Sequence, residues 1–244
     1  MKIIIDPGHG GKDPGGGSNQ DFKEKDMVLQ ISKYMYDRFN ELGIDVALTR
    51  MDDVTLTSGE RTKKVRASRA DICISNHINA YNGQAQGAET IYSIHSDGKL
   101  ATMILDNLVK AGAKRRRAFT RTLPESSNKD YYFMIRETGD VETVIVEYGF
   151  ADNPKDAEKI INHWRAYAEA VIKSVCDYKE IPYETSAAEP LKEALEILVN
   201  AGEINRPDYW LINAVPGGSV KGEYAAIVLK KYAETVKKLE NENG

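Results

Sequence analysis

The chain has 244 residues, enough for one large domain or for one domain and a small module. Its net charge is −4, with 41% hydrophobic and 29% charged residues, so nothing global points to nucleic acid. It contains no run of about 18 apolar residues, which excludes a helical membrane span. The apolar start is cut off at Asp6. That is shorter than the apolar region of about 7 or more residues that a secretory signal needs, so no export signal is expected within this chain. The two cysteines, Cys73 and Cys176, form no Cys-x-x-Cys pair and are expected to be buried thiols.

In chain order, Ile3, Ile4 and Ile5 followed by Asp6-Pro7-Gly8 predict a short buried strand ending in a tight turn. His9 follows among glycines, which let backbone and ligand come close. Val28, Ile31, Met35, Phe39 and Leu42 predict a helix over 25–42, with Gly43 as its stop. Ile44, Val46 and Leu48 alternate as in a strand. Thr57-Ser-Gly-Glu60 has the form of a capping box and opens a helix over about 58–69. A strand over 71–75 then delivers Asn76-His77, and 88–94 is a further strand candidate.

Leu100, Ile104 and Leu108 have helical spacing. The basic and polar stretch 114–128 has no clear period, and 131–135 reads as a strand. Residues 142–147 form a β-prone run that ends in Glu147. Asn153-Pro154 reads as an N-cap with proline at N1 of a long helix. Strands alternating with helices predict an α/β domain over 1–179, with a largely parallel sheet flanked by helices. Residues 180–189 read as a linker, and 190–244 as a small all-helical C-terminal module. Leu191, Ala194, Leu195 and Leu198 share one face there, and Gly202 closes that helix. Trp210 is either core or a flat platform for a sugar.

His9, Glu24 and His77 supply two imidazoles and a carboxylate. That is the ligand set of a catalytic zinc site with one position left open. By residue type alone, a loop histidine, a capping carboxylate and a structural histidine remain the alternative. Glu147 is either a general base that moves a proton from water to a leaving amine, or one half of an ion pair with an arginine such as Arg136. His95 and His163 are expected at the surface. The cluster Lys114 to Arg117 with Arg121 is either a solvated charge run or a contact for an anionic partner.

Several motifs follow one another in order. They are Asp6-Pro-Gly-His-Gly-Gly11, Glu24-Lys-Asp26, Leu48-Thr-Arg50, Arg61, Ala70-Asp71, Ser75-Asn-His-Ile-Asn-Ala80, Gly87-Ala-Glu89 and Val144-Ile-Val-Glu-Tyr-Gly-Phe150. Over roughly residues 1–177 this set resembles the zinc-dependent N-acetylmuramoyl-L-alanine amidases of bacterial autolysins and phage endolysins. The resemblance implies one Zn2+ held by His9, Glu24 and His77, with Glu147 as the catalytic carboxylate. It also implies hydrolysis of the amide between the lactyl group of N-acetylmuramic acid and the L-alanine of the stem peptide. Asn76 and Ile78 depart from the Ser-Ile-His-Ala-Asn-Ala pattern common in the family, whereas His77 and Asn79 keep their places. Asn79 could contact substrate, orient a ligand or simply form a turn. Glu89 matches a glutamate often present in the family, near the site or structural.

The rival readings are a zinc peptidase cutting within the stem peptide and a wall-binding protein with a degenerate site. The order catalytic domain, linker and module resembles phage endolysins of Gram-positive hosts. It gives the expectation of a chain held in the host cytoplasm until release, or secreted after trimming of a signal. From Glu189 onward there are 7 basic and 9 acidic residues. That balance does not favour simple electrostatic anchoring, so the module is expected either to bind wall polymers or to mediate self-association.

Overall fold

The computed structural model describes residues 1–184 and, beyond them, 195, 197–200, 202, 204, 209–210, 214 and 220–242. Two compact units divide between Tyr183 and Glu184. The first is built on a six-stranded sheet made from β1 (Lys2–Pro7), β2 (Asp45–Leu48), β3 (Ile72–Asn79), β4 (Ala88–Ile91), β5 (Arg115–Phe119) and β8 (Glu142–Phe150). The strand order is β2-β1-β3-β8-β4-β5. Every pairing is parallel except β4 with β8. A two-stranded ribbon, β6 (Thr122–Leu123) and β7 (Ser126–Asp130), follows β5.

The two faces of the sheet are covered unequally. Helices α1 (Glu24–Glu41), α3 (Lys99–Lys110) and α5 (Pro154–Tyr178) cover one of them. Ile3, Ile5, Ile72, Ile74, Val144 and Val146 pack there against Val28, Ile31, Met35, Phe39, Ile104, Leu108, Val171 and Val175. The other face holds a smaller cluster of Ile4, Cys73, Ile91 and Ile145 with Val65, Met134 and Ile135. Its cover is α2 (Ser58–Ser68) and the single-turn α4 (Phe133–Arg136). Side chains alternate between faces along a strand, so Asp6, Ser75, His77, Glu147 and Glu89 all lie on this thinly covered side.

Local signals explain the helix starts. The Thr57 hydroxyl accepts from Glu60 N while the Glu60 carboxylate accepts from Thr57 N, the reciprocal bond pair of a capping box. The Asn153 side chain accepts from Lys155 N and Asp156 N, with Pro154 at the first helical position. Both cysteines are buried and free, as expected.

Three segments depart from the sequence reading. The strand expected at 71–75 runs on to Asn79, so His77 lies inside β3, because the parallel ladder with β8 continues through the pair His77 and Glu147. The basic stretch 114–128 forms β5, β6 and β7. Its arginines satisfy themselves on carboxylates and rings, not in a core, which is why no apolar alternation marks it. Residues 131–135 are not a strand: Tyr132 O accepts from Ile135 N and Arg136 N, and the turn so formed buries Met134 and Ile135.

In the second unit α6 (Gly222–Glu242) is a helix, and residues 197–200 and 209–210 are helical. Leu195 and Leu198 are buried, Gly202 donates to Val199 O in the left-handed conformation, and Trp210 is half-buried edge-to-face with Tyr209. Leu191, Ala194 and the linker positions 185–189 lie outside the described residues.

Candidate metal centre and active site

Three segments bring His9, Glu24 and His77 together. His9 Nε2 and His77 Nδ1 each lie 3.1 Å from Glu24 Oε1. One ligand atom from each residue fits within 4.8 Å of the others. Tetrahedral zinc with bonds of about 2.0 Å separates its ligands by a little over 3 Å, so the set fits one ion.

Neighbouring groups hold each side chain in place. Glu24 opens α1, and its Oε1 accepts from Ile78 N at 3.0 Å while Oε2 accepts from Gly17 N at 2.8 Å. His9 Nδ1 lies 2.7 Å from Asp13 Oδ2, which assigns the proton to Nδ1 and leaves Nε2 free to ligate. His9 itself has a φ of 57°, an uncommon left-handed conformation for a side chain this size. Gly8 passes so close to His77 that a Cβ there would lie 2.4 Å from the ring. Gly15 makes the same kind of approach to Glu24 Oε2, at 2.3 Å. The glycine-rich loop clears space for two of the three ligands.

Arg50 fixes that loop by donating to the carbonyls of Pro7, Gly8, Lys25 and Asp52. Beneath His77, Asp6 accepts from Thr49, Ser75 and Arg61. Arg61 in turn reaches to 3.4 Å from His77 Nε2.

Charge in the cluster suits a cation. Burial pushes the Glu24 carboxyl up, but the two histidines outweigh it and hold Glu24 well below the usual carboxylate range. Burial lowers His77, and the Arg61 and His9 charges add to that against Glu24. His9 shifts the other way: burial would lower it, but Glu24 and Asp13 outweigh burial and raise it, so a bound cation must displace its proton.

Glu147 is the direct neighbour of His77 across the β3–β8 ladder. The alternative, an ion pair with Arg136, is not formed: Arg136 donates to Asp130 O, Tyr131 O and Glu137. Among the described residues Glu147 Oε2 is buried with no hydrogen-bond partner. Burial pushes its carboxyl well above the ordinary value, and the Glu24 and Glu89 charges add to the rise. An unpaired carboxylate beside a potential cation centre is placed to take and return a proton.

Asn79 donates to Glu89 Oε2 at 3.0 Å, and its own Oδ1 accepts from Ala80 N. Asn76 points to the opposite face, where it bonds Ser32 and accepts from Tyr148. Ile78 is buried. Both departures from the family pattern therefore serve the core. His95 is exposed, and His163 lies beside Tyr167 on α5.

Three features escaped the sequence reading. Asp13 was signalled by its place four residues after His9. The pairing of Asp6 with Arg61 gave no local signal, being 55 residues apart. Tyr132 is the third: burial pushes its hydroxyl above the ordinary value, and the charges of Glu147 and Glu89 add to the rise against Arg121.

The profile of the family described as N-acetylmuramoyl-L-alanine amidase (Amidase_3) matches residues 3–177. This chain belongs to that family. The Bacillus subtilis protein YqiI is 31% identical over 182 residues, covering 72% of this chain and 84% of its own. The structure of Cwp6 from Clostridium difficile aligns with a TM-score of 0.67 at 30% identity, over 72% of this chain and 29% of that one. The N-acetylmuramoyl-L-alanine amidase from Clostridium difficile 630 gives 0.63 at 30% identity, over 73% and 96%. The first unit is thus an amidase domain, and its mostly parallel sheet flanked by helices is the fold of these neighbours.

Proposed function

We propose that this chain is a zinc-dependent peptidoglycan hydrolase. It cleaves the amide between the lactyl group of N-acetylmuramic acid and the L-alanine of the stem peptide. The observation that carries this reading is the convergence of His9 Nε2 and His77 Nδ1 on Glu24 Oε1, with Glu147 one strand away. His9, Glu24 and His77 would hold one ion. A zinc ion held there supplies Lewis acidity, which polarises the scissile carbonyl and lowers the pKa of an attacking water.

Glu147 accepts the proton from that water and delivers it to the departing alanine nitrogen. Its unpaired Oε2 leaves it free to do both. Asp13 holds the His9 tautomer, and the buried Asp6–Arg61 pair supports His77 from below. Asn79 contributes by fixing Glu89, whose place beside Glu147 shapes the floor of the site.

The second unit is proposed as a module for wall polymers, joined through the stretch near residues 180–189. The order of the two units supports an endolysin of phage or prophage origin. Chelation followed by zinc addition tests the catalytic reading: lysis of purified cell walls should stop and then return. Walls cut equally well in the presence of chelator would refute the zinc assignment.

A further inference from the structure

His77, Glu147, Glu89 and Arg117 form one row across four neighbouring strands. His77 pairs with Glu147, Glu147 with Glu89, and Glu89 with Arg117. Paired residues point to the same face, so the row leads from the metal ligands to the sheet edge at β5. On the other side of His77, Arg61 lies 3.4 Å from its Nε2 and is held by the buried Asp6.

At the edge the ladder is irregular. Ala88 pairs with Arg115 but Glu89 pairs with Arg117, so Arg116 is an extra residue in β5. The bulge lets two successive arginines reach one carboxylate. Arg116 Nε and Arg117 Nε donate to Glu89 Oε1 at 2.8 and 2.7 Å. Glu89 is 3% exposed in its side chain, whereas Arg116 and Arg117 remain 36% and 54% exposed. Each guanidinium also lies over a ring, Phe150 and Phe119 respectively. Both Nε donors are spent on the same Glu89 oxygen, so the terminal N–H groups of the two guanidiniums are left at the surface.

We propose that Arg116 and Arg117 form a subsite for a free carboxylate of the stem peptide. The proposal rests on the peptidoglycan reading above. Two strand spacings separate Glu147 from Arg117, about 10 Å, the reach of about three extended residues. The carboxylate is assigned to the second residue after the scissile bond, whose side chain, added to two backbone residues, covers that distance. A guanidinium held by its Nε and stacked on a ring still presents its terminal N–H groups, the geometry suited to a carboxylate. Glu89 is the group that aims both arginines, and Asn79 aims Glu89.

The test uses the full chain and two synthetic muramoyl-tripeptides that differ only at the second residue, free carboxylate against carboxamide. Binding of the corresponding released tripeptides is measured by calorimetry. Wild type should favour the carboxylate form by about tenfold in KM and in product Kd, the worth of one charge-assisted bond. Arg116→Gln and Arg117→Gln each leave one guanidinium on Glu89 and remove the other pair of terminal N–H donors. Either should cut the preference to about twofold with kcat nearly unchanged, and Arg117→Lys should retain more of it. Equal handling of the two substrates by wild type, or an undiminished preference in both glutamine variants, would overturn the subsite. Failure of wild type to cut either substrate would instead refute the amidase reading.

Discussion

His77 and Glu147 face each other across adjacent parallel strands, one carrying a ligand of the candidate metal centre and the other an unpaired carboxylate. Both sit on the two central strands of the sheet, so their separation is set by the ladder and not by a loop. Proton transfer by a group placed in this way is worth about 10²–10⁴ in rate. Glu147→Gln should lose turnover by that factor yet bind zinc as wild type does. Metal content by atomic absorption and initial rates on cell walls measure the two separately. Near-normal turnover would remove Glu147 from its role.

Asp13 should tune the metal site without being part of it. Loss of such an outer partner weakens binding by about 10- to 100-fold. Asp13→Ala is expected to lower zinc affinity in that range in a competition titration, with the fold intact by circular dichroism. An unchanged affinity would show that the 2.7 Å contact to His9 is incidental.

Gly8 makes a sharper prediction. A methyl group there meets the His77 ring at 2.4 Å, and the ring is the part that can move. Gly8→Ala should fold but lose zinc-dependent stabilisation in a thermal melt, because His77 is pushed off its ligating position. A zinc-induced shift equal to that of wild type would contradict the packing described.

Asp6 carries an acid-stability prediction. Burial would push its carboxyl up, but Arg61, with help from Ser75, outweighs this and holds it at about 2, below the ordinary value of 3.8. A carboxyl depressed in the folded state stabilises it above the unfolded pKa. That contribution, about 2 kcal/mol, fades as pH falls from about 4 through about 2. A carboxyl-carbon NMR titration should find Asp6 still ionised at pH 3. A midpoint near 4 would mean that the pair with Arg61 does not hold the proton off.

Much of this was legible in the sequence, for physical reasons. His9, Glu24, His77 and Glu147 are marked by a glycine loop, a helix start and β-prone runs, and their ordered motifs are specific. The capping box at Thr57 and the Asn153-Pro154 start are local, so they were readable. What could not be read depends on partners far along the chain. Arg116 and Arg117 are strand residues only because Glu89, some 27 residues earlier, receives them. The turn at Phe133–Arg136 forms where an aromatic run reads as β, since Met134 and Ile135 bury themselves by turning under the sheet. Asn76 looked like a disturbance of the site, yet its side chain belongs to the opposite face with Ser32 and Tyr148.

The central claim is the bond that is cut. Purified peptidoglycan digested with the full chain, with and without chelator, should be analysed by mass spectrometry with labelling of new amino termini. The account predicts intact stem peptides that begin with L-alanine, abolished by chelation and restored by zinc. Fragments cut within the stem peptide, or binding to the wall with no new amine, would contradict it.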